Sequence, residues 1–254
     1  MCILHNMSFN IYYTGYFKYN KVNIWLQNKF FLDFFMIITI DGPAAAGKGT
    51  LSSMLAEKYK LAYFDTGMIY RAVGLDLLLR NIDPDDDVKA LETAQNMTFS
   101  KMIELSKHAD FRSNTGGQAA SKVASKTPVR QALLKMQQDF ALYPQFADGQ
   151  KAFGVVYDGR DTGTVVCPNA DIKLFVTASP EVRAMRRHKE FLEKGIKSDY
   201  DEVLAQTRER DFRDTTRASA PLKPADDAII IDTSNLAIEE VFDKVCDIID
   251  SKKS

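Results

Sequence analysis

Histidine and cysteine are scarce, at three each among 254 residues. His5, His108 and His188 have no spacing that makes a metal cluster or a general-base pair. Cys2, Cys167 and Cys246 are too few and too scattered for a disulfide framework or a zinc ribbon, which suits a reducing, cytoplasmic setting. Net charge is nearly absent as well: 33 Lys plus Arg against 34 Asp plus Glu leave −1 at pH 7. No overall field marks the chain for a nucleic acid or a membrane surface, so any anion site must be local. What is present, 45% hydrophobic residues over this length, can bury the core of one large α/β domain without disulfide or metal support.

Residues 1–35 differ from the rest. They hold eleven of the 27 aromatic residues and five Asn. Lys18, Asn20, Lys21, Asn23, Gln27, Asn28 and Lys29 interrupt every apolar run there, which excludes a membrane-spanning helix, and the layout of a signal peptide is missing. We read translation as starting at Met36, with residues 1–35 as a non-native or disordered extension.

From Met36 the pattern alternates. Short continuous apolar runs at Met36–Ile40, Leu61–Phe64, Val155–Tyr157, Ile172–Val176 and Ala228–Ile231 predict five buried parallel strands. Leu51, Met54, Leu55 and Tyr59 follow the first at helical spacing. Ser179 and Pro180 read as the cap and first turn of a helix to about Leu192. Ile238, Val241, Phe242, Val245, Ile248 and Ile249 form the apolar stripe of a closing helix. Such alternation implies a parallel sheet covered on both faces, with ligands beyond the carboxyl ends of its strands. Asp83–Gly117 is polar and lacks a clear period; it reads as a small inserted subdomain or a flap.

Between the first strand and its helix, Gly42, Pro43, Ala44, Ala45, Ala46, Gly47, Lys48, Gly49 and Thr50 fit G-x-x-x-x-G-K. The glycines let backbone N–H groups curl inward, the helix N-terminus adds partial positive charge, and Lys48 reaches the β- and γ-phosphates of a bound nucleotide. Gly49 stands where Ser or Thr usually offers Mg²⁺ a hydroxyl, so the metal is expected on nucleotide oxygens and waters, with Asp158 as the carboxylate facing that water shell. Arg71 and Arg160 follow strand ends. Arg210, Arg213, Asp214 and Arg217 step by three, four and seven, which puts them on one face if a helix from about Tyr200 runs through them. Arg183, Arg186 and Arg187 form a further basic cluster. That many guanidinium groups beside a phosphate loop suit an enzyme joining ATP to a second phosphate: a monoester oxygen carrying about −1.5 to −2 charge is already a nucleophile and needs no base.

Four ordered motifs then resemble the bacterial cytidylate kinases, from Ile37 to about Ile249. They are Ile38–Pro43 with Ala46–Thr50, Asp65–Gly67 with Ile69–Arg71, Asp158–Asp161 with Gly163–Val166, and Arg210, Asp211, Arg213, Asp214 and Arg217. The resemblance implies a P-loop NTPase-type α/β fold with a parallel five-stranded sheet, helices on both faces, a lid at about 186–218 and a small acceptor-binding insert at about 83–120. All of this lies in a single nucleoside monophosphate kinase domain over 36–250, acting as a monomer. It implies ATP as donor with Mg²⁺ and CMP or dCMP as acceptor. Lys48, Arg160, Arg186 and Arg217 would act in catalysis, Arg186 as the lid arginine that reaches the donor phosphates. Thr66, Arg71, Arg160 and Arg217 would surround the acceptor phosphate, Arg210 and Asp214 the ribose, and Ser121, Arg130 and Asp161 the base. The stretch 96–117 is shorter than the family's usual insert, which leaves its small antiparallel sheet open. The alternatives are a kinase of the same fold acting on UMP, AMP or a small alcohol, and a nucleotide-binding regulatory module without turnover.

Overall fold

The computed structural model describes residues 35–253. The expectation that residues 1–35 are an extension falls almost wholly outside them. Residues 36–254 group as one compact unit.

The five apolar runs form five strands, all parallel, in the order β2-β3-β1-β4-β5. These are β1 (Met36–Asp41), β2 (Ala62–Asp65), β3 (Gly154–Gly159), β4 (Ile172–Thr177) and β5 (Ile229–Asp232). Ile38 and Ile40 on the central strand are fully buried, as are Val155, Val156 and Tyr157 beside it, because both faces of the sheet are covered. One face packs α1 (Lys48–Tyr59) and α9 (Ile238–Lys253), burying Leu51, Leu55, Val241, Val245 and Ile249 against Ile38, Ile40 and Val156. The C-terminal stripe closes the domain as its spacing predicts.

The other face carries α2 (Gly67–Leu79), α3 (Asp87–Gln95), α4 (Phe99–Leu105), α5 (Asn114–Ala124) and α6 (Thr127–Leu142). Residues 83–117, read from sequence as a subdomain or flap, are largely helical and belong to the core. Ala90, Ala94, Met97, Met102 and Phe111 are buried in the same cluster as Phe64, Phe140 and Tyr157. Phe64 stacks on Phe140 at 4.5 Å between ring centroids, and the buried Tyr157 hydroxyl donates to Gln137 O at 2.6 Å. Among the described residues no strand forms between β2 and β3, so the antiparallel sheet left open for this insert is not there.

Two helices connect β4 to β5. In α7 (Pro180–Glu193) Ser179 Oγ accepts from Val182 N at 3.3 Å and Pro180 opens the first turn, as the sequence predicts. The second, α8 (Tyr200–Thr216), stops one residue short of the expectation. Arg217 is extended (φ −60, ψ 143), so it does not share a helical face with Arg210, Arg213 and Asp214. The hydroxyls of Thr215 and Thr216 take the carbonyls of Asp211 and Phe212, and Arg217 Nε donates to Ala220 O at 2.7 Å across the following turn. No helix among the described residues is long and apolar enough to cross a membrane.

Candidate functional site

A cavity of about 790 Å³ opens beyond the carboxyl ends of β1, β2 and β3. Every site residue expected from sequence lines it except Gly42 and Pro43, which form the turn beneath. Eight arginines and Lys48 face five carboxylates there, a local excess of positive charge in a chain with a net charge of −1. No histidine lines it.

One side of the cavity is the turn between β1 and α1. Gly42 has φ +147, and a Cβ on it would stand 1.9 Å from Val176 O, so only glycine lets the turn leave the sheet here. Gly47, at φ +91, caps α1 and turns the helix N-terminus into the cavity. Lys48 is buried, its Nζ donating to Pro43 O at 2.9 Å and lying 3.8 Å from Asp158 Oδ1. Burial, then the nearby Arg160, push its pKa down to about 8, while burial pushes Asp158 up to about 6 against the pull of Lys48. A Cβ on Gly49 would meet Asp158 Oδ2 at 3.5 Å, so this position contributes space where a hydroxyl was the usual expectation.

These shifts give a pH prediction. A nucleotide polyphosphate held by Lys48 would bind its protonated form, so its affinity should fall as pH rises past about 8. Between pH 7 and 9 the Kd from titration calorimetry should rise roughly tenfold, as expected for loss of one cation near pH 8. A flat profile would remove Lys48 from the binding step. Stability moves the other way: the folded chain binds fewer protons at Lys48 than the unfolded chain between about 8 and the ordinary lysine value of 10.5, so this group's contribution rises with pH across that window.

The rest of the polar lining is built by β3, α2, α5, α6 and α8. Thr66 Oγ1 donates to Asp158 O at 2.9 Å, and Arg71 Nη1 to Phe111 O at 3.0 Å. Arg160 Nε donates to Asp214 Oδ2 at 3.1 Å, tying the end of β3 to α8. Arg130 and Asp161 form a buried ion pair, with Arg130 also holding Ala124 O at 3.2 Å and lying 5.2 Å from the centroid of the Tyr70 ring. Breaking such a pair typically costs about 3–5 kcal/mol because one charge is stranded. Arg217 Nη2 lies 4.0 Å from Asp161 Oδ1 and, like Arg210 Nε, is buried with no hydrogen-bond partner. Burial, then the neighbouring Arg160, lower the Arg210 pKa to about 10. A polar or anionic ligand in the cavity could satisfy these orphaned N–H donors, and an anion would offset the repulsion that Arg210 feels from Arg160 and Arg217 from Arg130.

Arg186 also lines the cavity, but it donates through Nη1 and Nη2 to Thr233 Oγ1 and O at 3.1 and 2.7 Å. Thr233 in turn donates to Ala46 O at 3.2 Å, so the pair leans on the phosphate loop from the β5 side. Arg183 is a correction to the basic cluster: it is buried away from the cavity. It donates to Ala44 O (3.3 Å) and Ala178 O (2.8 Å) and grips Asp211 through two bonds of 2.9 and 2.5 Å. It therefore buttresses the loop against α7 and α8.

Sequence reasoning missed Asp41. Its carboxylate accepts from Thr162 N (2.8 Å), Thr162 Oγ1 (2.9 Å) and Gly163 N (2.7 Å). It is 5% exposed, and burial raises its pKa against those three bonds. The last residue of β1 thus pins the turn that carries Arg160 and Asp161. It could have been found only by asking what satisfies that turn's N–H groups. Arg112 and Leu236 were also missed and line the cavity, as does Arg187 of the basic cluster.

The family model for cytidylate kinase matches residues 38–251. The cytidylate kinase of Paramagnetospirillum magneticum is 52% identical over 217 residues, covering 85% of this chain and 99% of its own length. Those of Caulobacter sp. strain K31 and Rhizobium meliloti are 46% and 45% identical, over 86% and 85% of this chain and 95% and 96% of theirs. With the phosphate loop, the five parallel strands and the arginine-lined cavity already described, these matches leave one assignment. The chain belongs to the cytidylate kinase family.

Proposed function

We propose that the chain moves the γ-phosphoryl group of ATP to CMP or dCMP, giving ADP and CDP or dCDP, on the free nucleotides of the cytoplasm. The observation that carries this reading is the pair of buried, unpartnered guanidinium N–H groups of Arg210 and Arg217 in a strongly cationic cavity beside the phosphate loop. A buried donor without a partner costs about 1–3 kcal/mol, and a second anionic substrate removes that cost.

The acceptor monoester is the nucleophile, so the protein's work is positioning and charge neutralisation. Lys48 and the loop's N–H groups hold the donor phosphates. Arg71, Arg160 and Arg217 hold the acceptor phosphate, joined by the Thr66 hydroxyl once it turns its hydrogen from Asp158 O, while Arg210 and Asp214 take the ribose. Asp161 accepts the N4 amino group of cytosine, since a carboxylate already paired with Arg130 keeps lone pairs for a second donor. Ser121 and Arg130 supply donors to the ring acceptors. Residues 83–120 serve as the acceptor insert and 186–218 as the lid, with Arg186 moving from Thr233 to the donor phosphates when the lid closes. An alcohol acceptor would need a base, and the cavity's Asp158, Asp161, Asp214 and Glu190 each already face a cation, while Asp65 accepts from Gly67 N.

The residues suit Mg²⁺ held by the nucleotide, because no group of three or more His, Cys, Asp or Glu side chains among the described residues could cage a metal. Asp158 would accept hydrogen bonds from the ion's waters. When bound, the ion neutralises β- and γ-phosphate oxygens.

The test is turnover of the full chain with ATP, Mg²⁺ and each of CMP, dCMP, UMP and AMP, with the diphosphate product measured. CDP and dCDP should form, and kcat/KM for UMP should be lower by roughly 5–150-fold, the worth of one unpaired buried polar contact. No CDP from CMP defeats the proposal; equal use of UMP defeats the role of Asp161.

A further inference from the structure

Arg213 does not line the cavity, yet it reaches a residue that does. From α8 its Nη1 donates to Ser121 Oγ on α5 at 2.8 Å, and its Nη2 donates to Glu209 Oε1 at 2.5 Å one turn back. Ser121 is 7% exposed, and Arg213 keeps about a third of its side chain in solvent. A serine hydroxyl has two lone pairs and a single hydrogen. With a lone pair taken by a guanidinium, that hydrogen is left to point elsewhere, and among the described residues no acceptor is paired with it. A second side-chain bridge, Arg187 Nη2 to Asn114 Oδ1 at 3.3 Å, ties α7 to the same helix, α5.

We infer that Arg213 is a positioning residue for acceptor recognition. By donating to Ser121 Oγ it commits that hydroxyl to act as a donor into the cavity, so Ser121 reads an acceptor atom on the base and recognition of the base is tied to the placement of α8. A base presenting an N–H at that point meets a donor with nowhere to turn. The inference rests on the reading that Ser121 faces the acceptor base.

The test is a double-mutant cycle on the full chain with Ser121→Ala, Arg213→Met, which keeps the aliphatic stem, and the pair combined, plus Arg213→Lys. KM for CMP is measured at saturating ATP and KM for ATP at saturating CMP. Each single variant should raise KM for CMP by about tenfold, the double should raise it no further than either single, and KM for ATP should stay within about twofold. Arg213→Lys, which keeps one donor, should recover part of the loss. Additive effects in the double, an unchanged KM for CMP in Arg213→Met, or equal rises in both KM values overturn the inference. An unchanged KM in Ser121→Ala removes Ser121 from base recognition and takes the inference with it, whereas a wild-type chain that makes no CDP fails at the proposed function instead.

Discussion

Arg160→Ala and Arg217→Ala should each lower kcat by at least about 100-fold while the chain stays folded. Charge spreads over the transferring phosphoryl group in the transition state, and the loss of one pre-aimed donor from such a site typically costs about 100- to 1,000-fold. Arg160 stands between the two sides of the cavity, 3.1 Å from Asp214 through Nε. Arg217 keeps a buried N–H unspent. Removing Arg160 does not isolate Asp214, because Arg210 and Arg217 still act on it. Circular dichroism and a thermal melt should therefore stay near wild type while turnover collapses. Arg160→Lys separates charge from geometry: it keeps the cation but loses the planar fork, so most of the loss should remain. Near-normal turnover in either alanine variant contradicts the clamp.

Lys48→Met should be still more damaging, with turnover down by at least about 1,000-fold, since the phosphate loop loses its only side-chain cation. It also carries a signature that activity alone does not. Asp158 is already pushed up to about 6 by burial, and Lys48 is the largest influence pulling it down. The folded chain therefore binds more protons at Asp158 than the unfolded chain between the ordinary aspartate value of 3.8 and about 6, and stability from this group falls as pH rises through that window. Without Lys48 the Asp158 pKa climbs further and the window widens. Melting temperature should thus fall more steeply between pH 5 and pH 8 in Lys48→Met than in wild type. An unchanged profile would mean that the two groups are not coupled.

The parts of the fold legible in the sequence are those where one physical cause dominates. Strands buried on both faces leave continuous apolar runs, so all five stand out, within a residue or two of their ends. The phosphate loop is legible because a Gly-rich turn between strand and helix has few other uses. Helices α3 and α5 are not, because their inner faces rest on small residues such as Ala90, Ala94, Ala119 and Ala120. These give little periodic contrast against a polar outer face.

For the site, residue type was readable but direction was not. Arg183 and Arg186 lie three apart on α7, yet one is a buried buttress and the other faces the cavity. Arg213 and Asp214 are adjacent on α8, yet only Asp214 lines it. Arg217 arrives in the cavity for a reason unrelated to helical spacing: the chain leaves the helix and the side chain is held by the turn that follows. Asp41 stayed hidden because a carboxylate at a strand end looks like part of the glycine turn until its three donors are seen.

The central claim is that guanidinium groups bring two phosphate-bearing substrates together, the acceptor phosphate itself being both anchor and nucleophile. Side-by-side measurement of ADP release with CMP and with cytidine, at saturating ATP and Mg²⁺, tests it most directly. CMP should support rapid turnover with CDP as product, and cytidine should give no ADP above the background of ATP hydrolysis. Phosphorylation of cytidine at a rate comparable to that of CMP would mean that a hydroxyl is activated in this cavity, and the account would be wrong.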